Sequence, residues 1–207
     1  MNPSPYLIPK QPAIYEEEIK KSHFITYLAH TPSIESAKAF VEQIKMKHQD
    51  ARHNCWAFVA GRPTDSMLWG FSDDGEPSGT AGKPILAQLT GSGVGEITAV
   101  VTRYYGGIRL GTGGLVKAYG GGVQHALKQL VTVEKIITSS LRLRFEYSFM
   151  PLVQSLMSQL EVKENMAHYS DIVDIIVDID ARCVDEFTQA IINKSGARVT
   201  VESLKEI

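Results

Sequence analysis

The sequence predicts an α+β protein of two domains, one over residues 1–137 and the other over residues 138–207. Three observations favour this class. A chain of 207 residues with 43% apolar and 21% charged residues has a globular composition and suits one large or two small domains. Sixteen of the 17 glycines fall between Gly61 and Gly122, so the two halves are under different constraints. The half after residue 137 alternates strand and helix patterns in the order βαββαβ, which is the ferredoxin-like plan.

The second domain has the clearer pattern. In "SSLRLRFEY" Leu141, Leu143 and Phe145 alternate with charged residues, which is typical of a half-buried strand. Apolar residues recur at helical spacing further on, with Asp180 as the expected cap of the last helix and Gly196 as its stop. The predicted strands are 139–147, 161–169, 171–179 and 197–204, and the predicted helices are 150–160 and 180–196.

The first domain is predicted as a sheet with helices stacked on one face. Apolar residues in step after Thr31 and Pro32, the expected cap and first turn, indicate a helix. The stretch "EITAVVTRYYGG" is the most β-branched of the chain and predicts a strand. More than one strand is predicted within 13–30, further strands are predicted at 54–61, 68–72 and 96–107, and the predicted helices are 34–48, 80–91 and 114–130.

A glycine-rich loop between a strand and a helix is the strongest functional signal. Glycines at a helix start let a phosphate approach free backbone N–H groups, and cations flank this loop. Tyr104 and Tyr105 are adjacent on a strand, so one is expected to be buried and the other exposed to stack on a base. The residues predicted to form the site are Arg103, Tyr104, Tyr105, Gly106, Gly107, Arg109, Gly111, Gly113, Gly114 and Lys117, with Asp73 and Glu76 at its border.

The glycines have two other interpretations. Gly120, Gly121 and Gly122 each cost a helix about 1 kcal/mol relative to Ala, and close packing on the sheet is one compensation. The second interpretation is that the glycines form a surface on which a protein docks. The loop matches no nucleotide fingerprint, because "GTAGKP" has Pro84 where a magnesium-binding Ser or Thr belongs.

The remaining reactive residues favour structural roles. The stretch "FSDDGEPSGTAGKP" contains Asp73, Asp74 and Glu76, whose carboxylates could bind a hard cation. The same pattern is also typical of a tight turn. Cys55 lies in an apolar strand and is expected to be a buried thiol. No nucleophile, base and orienting group occur together, so the sequence predicts no catalytic residue, cofactor or metal.

Charge and cysteine content indicate a cytoplasmic protein. Lys and Arg exceed Asp and Glu by two up to residue 137, while acidic residues exceed basic ones by four after it, so neither half is strongly basic. The two cysteines form no disulfide framework, and no stretch resembles a signal peptide or a membrane helix.

Long stretches of the chain resemble a known family. "FSDDGEPSGTAGKPIL", "GSGVGEITAVVTRYYGGIRLGTGGLVKAYGGGV" and "EEIKKSHFITYLAH" resemble the bacterial YigZ branch of the IMPACT family, proteins with an Impact N-terminal domain. The resemblance implies a first domain with the fold of the second domain of ribosomal protein S-five, and a ferredoxin-like second domain similar to an elongation-factor domain. It also implies a link to translation, since eukaryotic relatives regulate translation.

The leading functional prediction is a non-enzymatic regulator linked to translation, which binds RNA or the ribosome through the glycine-rich loop. The first alternative is an enzyme that acts on a phosphorylated small molecule or nucleotide at the same loop. The second is a pure protein-interaction module whose partner belongs to the translation machinery. No membrane partner is expected.

Overall fold

A computed structural model describes residues 4–204 and divides the chain into two compact units. The first unit runs Tyr6–Lys135, and the second contains the described residues from Ile136 onward together with Ser4 and Pro5. Both units combine helices with antiparallel sheets, so the predicted α+β class with two parts is confirmed.

The first unit is built on a five-stranded antiparallel sheet and a separate two-stranded one. Its strands are β1 (Tyr6–Pro9), β2 (Ala13–Ile19), β3 (Ser22–His30), β4 (His53–Val59), β5 (Trp69–Ser72), β6 (Ile97–Tyr104) and β7 (Thr132–Lys135). Its helices are α1 (Ile34–Lys47), α2 (Gly82–Ser92) and α3 (Thr112–Gln129), with a short 3-10 turn at Ser66–Leu68. The larger sheet has the order β2-β3-β6-β4-β5, and β1 pairs with β7.

Helices cover both faces of the larger sheet. The expectation that they stack on one face is wrong for α1, because Val100 of β6 packs with Val41 and Ile44 of α1. The next residue, Val101, faces the opposite way into the core that α2 and α3 cover. The central strand β6 is therefore apolar on both faces, and each face has to be covered by a helix.

Two helix starts differ from the sequence expectation. Helix α1 begins after Ser33, whose side chain and that of Ser36 form a reciprocal capping box, rather than at Thr31 and Pro32. In the second unit the last helix follows Cys183 with no side-chain cap, because the Asp180 carboxylate instead accepts hydrogen bonds from Arg182. The predicted stop at Gly196 is confirmed, with a left-handed φ of 59°.

The second unit has the predicted ferredoxin-like order of elements. Its antiparallel sheet has two helices, and its core is formed by the inward residues of the two central strands together with apolar residues of both helices. The elements are β8 (Thr138–Phe145), a 3-10 turn at Tyr147–Phe149, α4 (Met150–Gln159), β9 (Lys163–Tyr169), β10 (Val173–Asp180), α5 (Val184–Ser195) and β11 (Thr200–Leu204). The strand order is β11-β8-β10-β9, which places the alternating strand "SSLRLRFEY" in the middle of the sheet, as its buried leucines require.

Candidate functional site

A cavity of about 500 Å³ opens in the first unit where α3 begins. Four parts of the chain surround it: the start of β4, the turn after β5, the end of β6 and the loop that leads into α3. Its charged and aromatic lining consists of Arg52, His53, Glu76, Arg103, Tyr105 and Arg109. The rest of the lining consists of Gly75, Pro77, Leu110, Gly111, Thr112 and Leu115.

Strand pairing brings these distant residues together. Because β4 pairs antiparallel with β6, His53 lies directly opposite Arg103. The short strand β5 pairs with the other edge of β4, and the turn that follows it therefore returns to the same end of the sheet. The cavity thus lies at one end of the sheet, beside the first turn of α3.

A buried carboxylate forms the inner wall of the cavity. The Glu76 side chain is only 4% exposed. Its Oε1 accepts hydrogen bonds from Arg103 Nη1 at 2.6 Å and from the Tyr119 hydroxyl at 2.8 Å. Burial, followed by the nearby Cys55 and Glu76, raises the pKa of Tyr119. Tyr119 therefore remains protonated and donates to the carboxylate.

Arg103 is held in one position by its neighbours. Its guanidinium lies 5.5 Å from the centre of the Phe24 ring and 5.4 Å from that of Tyr105, and its Nη2 lies 3.4 Å from Ser22 Oγ. Its Nε is buried and has no hydrogen-bond partner among residues 4–204. The positive charge of Arg103 is matched by Glu76, so this pair contributes little net charge to the cavity.

The rim of the cavity carries the free positive charge. Arg52 and Arg109 are exposed, and neither forms an ion pair with another residue in the range 4–204. Beside them Gly111 is the N-cap residue of α3, which therefore has no side-chain cap, and the first turn of α3 holds no acidic residue. The N–H groups of this turn and the positive end of the helix dipole are therefore available to an anion.

His53 is oriented by the turn after β5. Its Nδ1 lies 2.9 Å from the Asp74 carbonyl oxygen, and because a carbonyl can only accept, Nδ1 carries the proton. The other nitrogen, Nε2, lies 4.0 Å from Glu76 Oε1. The imidazole thus lies beside the buried carboxylate in the lining of the cavity.

The acidic stretch after β5 is a structural turn. The carboxylate of Asp73 accepts hydrogen bonds from the backbone N–H groups of Gly79 at 2.8 Å, Ala81 at 3.0 Å and Gly82 at 2.8 Å. Burial acts to raise the pKa of Asp73, but these three donors hold it below the ordinary value of 3.8. Asp73 therefore fixes the start of α2 and shapes the turn that carries Glu76.

The glycines divide into packing and open positions. A Cβ at Gly106 would lie 1.8 Å from the Lys21 carbonyl oxygen, and one at Gly122 would lie 2.7 Å from Thr26 Oγ1, so both are required by close packing. At Gly113 and Gly121 no atom of the described residues outside the helix's own backbone lies within 4 Å of such a Cβ. Packing therefore explains Gly106 and Gly122. Gly113, in the first turn of α3, and Gly121, further along the same helix, instead leave the helix surface uncovered.

Five of the predicted site residues line the cavity, namely Glu76, Arg103, Tyr105, Arg109 and Gly111. Tyr105 is the exposed tyrosine of the pair, at 44% exposure. Tyr104 lies on the α1 face of the sheet, where its hydroxyl contacts His48 Nδ1 at 2.8 Å. Residues predicted for the site that do not line the cavity are Asp73, Tyr104, Gly106, Gly107, Gly113, Gly114 and Lys117.

Arg52 and His53 line the cavity and were not predicted for this site. The sequence carries them in "ARHNCW", but their position depends on which residue of β6 lies opposite His53. That register is a long-range property, and no local pattern signals it. A basic residue directly before a buried strand was the only available hint.

Neither a metal-binding cluster nor a membrane-spanning helix is found among residues 4–204. Within residues 4–204 no group of three or more His, Cys, Asp or Glu side chains is arranged to hold a metal ion. No helix in that range is both long enough and apolar enough to cross a membrane.

Comparison with protein families matches both parts of the chain. Residues 20–127 match the Impact N-terminal domain, and residues 143–198 match a domain of unknown function, DUF1949. The first match contains every residue that lines the cavity.

Similar proteins are found over nearly the whole chain. IMPACT family member YigZ of Escherichia coli is 53% identical over 97% of this chain and 98% of its own length. An IMPACT family member of Haemophilus influenzae is 50% identical over 97% of each chain, and IMPACT family member YvyE of Bacillus subtilis is 33% identical over 89% of this chain and 84% of its own. A crystal structure described as that of a hypothetical protein covers 99% of this chain and all of its own, with 52% identity and a TM-score of 0.73.

Proposed function

Because the chain belongs to the IMPACT family, whose members it matches over nearly its full length, we propose that it is a cytoplasmic, non-enzymatic protein linked to translation. It binds RNA or the ribosome at the cavity beside the start of α3. The observation that carries this proposal is the imbalance of charge in the cavity, where three guanidinium groups face one carboxylate.

The polar groups around the cavity suit a nucleic-acid phosphate. Arg52 and Arg109 are unpaired within the described residues and exposed, so they can meet phosphate oxygens without breaking an internal ion pair. The first N–H groups of α3 and the Thr112 hydroxyl add uncharged donors. Tyr105 exposes a ring already in contact with Arg103, which is a surface on which an unpaired base can stack.

A binding experiment with charge-matched variants tests this proposal. Arg52→Ala plus Arg109→Ala removes both free cations of the rim. Lys38→Ala plus Lys47→Ala removes the same charge from α1, which covers the opposite face of the sheet. We expect the arginine variant to bind a single-stranded uridine decamer about tenfold more weakly, or worse, while the lysine variant stays within about twofold of the wild type. Equal losses in both variants would contradict a localised site.

The size of the cavity supports a second candidate function. A volume of about 500 Å³ lies within the ~300–1,000 Å³ range of small-molecule sites, and Glu76 is a buried carboxylate in its wall. Under this candidate the protein is an enzyme for a phosphorylated small molecule or nucleotide. The two candidates differ in length dependence, since a small-molecule site binds a uridine mononucleotide as tightly as a decamer.

A protein-interaction module is the third candidate. The region after residue 137 has an excess of four acidic residues, which repels RNA and suits a basic protein partner. Failure of both the decamer and the mononucleotide to bind the first unit would favour this candidate.

A further inference from the structure

The two oxygens of the buried Glu76 carboxylate differ in their contacts. Oε1 holds Arg103 Nη1 at 2.6 Å and the Tyr119 hydroxyl at 2.8 Å. His53 Nε2 is also nearest to Oε1, at 4.0 Å. Oε2 accepts no hydrogen bond from any residue of the described range, and part of its surface is accessible. Oε2 is therefore the oxygen that a molecule in the cavity can reach.

This asymmetry limits what the carboxylate can recognise. Two close donors occupy the two lone pairs of Oε1. A ligand that needs both oxygens, such as a guanidinium or the Watson–Crick edge of guanine, cannot be bound in the bidentate manner. Because Arg103 already matches the charge of Glu76, a neutral donor is favoured over a cationic one. The free oxygen fits a single hydroxyl or a single amine hydrogen.

The position of Glu76 favours a hydroxyl close to a phosphate. Glu76 and the anion-binding groups, Arg109 and the start of α3, line the same cavity of about 500 Å³. In a ribonucleotide the 2′-hydroxyl is the donor adjacent to the phosphate, whatever the base, whereas exocyclic amines lie at the far edge of some bases only. Tyr105 lines the cavity as a separate surface for the base.

We propose that Glu76 Oε2 accepts a hydrogen bond from a ribose 2′-hydroxyl, so that the cavity selects RNA over DNA. This inference rests on the proposed binding of RNA at the same cavity. Arg103 and Tyr119 are positioning residues, since they hold Oε1 and thereby turn Oε2 toward the ligand.

The test uses the wild-type protein and three decamers that differ only at the sugar: uridine, 2′-deoxyuridine and 2′-fluoro-2′-deoxyuridine. Uracil carries no exocyclic amine, so a preference among these decamers reports the sugar. The fluorinated sugar keeps a ribose-like pucker but has no hydroxyl to donate. We expect uridine to bind about tenfold more tightly than either analogue, as one hydrogen bond to a charged acceptor contributes. A fluorinated decamer that binds as tightly as uridine overturns the inference, because shape would then explain the preference.

Two variants assign the preference to Glu76. In Glu76→Gln the amide oxygen is expected to stay with Arg103 and Tyr119, which places an NH₂ group where Oε2 was and reduces the ribose preference to about threefold or less. Tyr119→Phe removes one of the two donors that hold Oε1, so it is expected to reduce the preference, whereas Lys38→Ala plus Lys47→Ala on α1 is expected to leave it unchanged. An unchanged preference in Glu76→Gln overturns the inference.

The failure of this inference can be told apart from the failure of the proposed function. Binding that depends on Arg52 and Arg109 but is equal for uridine and deoxyuridine keeps the RNA site and overturns the role of Oε2. Binding that is absent, or that does not depend on these arginines, overturns both.

Discussion

Replacing Asp73 tests whether the acidic turn is a structural device of the first unit. The Asp73 carboxylate accepts three backbone hydrogen bonds, two of them on Oδ1 from Ala81 and Gly82 and one on Oδ2 from Gly79. One capping side chain contributes about 0.5–2 kcal/mol to stability. Because Asp73 binds three donors, we expect Asp73→Ala to lower the free energy of unfolding by about 2 kcal/mol.

A second substitution separates the three bonds. Asp73→Asn keeps an acceptor at the Oδ1 position and places an NH₂ group opposite the Gly79 N–H, so we expect a loss of about 1 kcal/mol. Asp65→Ala is the control, since Asp65 is exposed and accepts a single bond at 3.1 Å, from Met67 N. Its expected loss is below about 0.5 kcal/mol.

Urea unfolding followed by tryptophan fluorescence measures these losses. Both tryptophans, Trp56 and Trp69, lie in the first unit, so the signal reports the unit that contains Asp73. A free energy of unfolding for Asp73→Ala within about 0.5 kcal/mol of the wild type would contradict a structural role for Asp73, because it would mean that solvent replaces the three bonds at no cost.

The effect of Asp73→Ala on the free energy of unfolding is expected to depend on pH. The folded-state pKa of Asp73 is below its ordinary value of 3.8, so its contribution is fully present above that value and is lost as the pH falls through the folded-state pKa. The stability difference between the wild type and Asp73→Ala should therefore be larger at pH 7 than at pH 3. An equal difference at both pH values contradicts a role for the charged carboxylate.

Two further predictions concern the packing of the first unit. Gly122→Ala would place a Cβ 2.7 Å from Thr26 Oγ1, so we expect the free energy of unfolding to fall by about 1–3 kcal/mol in the same urea assay. Gly121→Ala meets open space and should raise the free energy of unfolding by about 0.5–1 kcal/mol. The reverse order of stability would contradict the packing assignment. Glu96 is buried at 4% side-chain exposure and accepts hydrogen bonds from Tyr6, His30 and Lys135, so Glu96→Gln should cost about 1–3 kcal/mol at pH 7. Burial acts to raise the pKa of Glu96, but these donors hold it below its ordinary value of 4.5. The cost should therefore be fully present above that ordinary value and shrink as the pH falls through the folded-state pKa, and a cost that is constant with pH would contradict this account.

Local sequence patterns were sufficient to predict most of the helices and strands. The alternation of Leu141, Leu143 and Phe145 predicted β8, and the apolar spacing after Gly114 predicted α3. These signals are local, because they depend only on which face of one element is buried. The two-stranded sheet of β1 and β7 was not predicted, since its strands are four residues long and lie more than 120 residues apart in the chain.

The site was only partly predictable for the same physical reason. Cations beside a glycine-rich helix start are visible in the sequence, and Arg109 and Gly111 were predicted on that basis. The contact of Glu76 with Arg103 and Tyr119 depends on tertiary packing, and so does the position of His53 opposite Arg103. The sequence also cannot distinguish Gly121 from Gly122, although one faces open space and the other faces Thr26.

The salt dependence of RNA binding measures how many phosphate groups the cavity contacts. In a plot of the logarithm of affinity for the uridine decamer against the logarithm of salt concentration, each phosphate contact contributes about 0.7 to the slope for a single strand. We predict that Arg52→Ala plus Arg109→Ala lowers the magnitude of the slope by about 1.4, and that Lys38→Ala plus Lys47→Ala leaves it unchanged. An unchanged slope in the arginine variant would contradict the binding of phosphate at the start of α3.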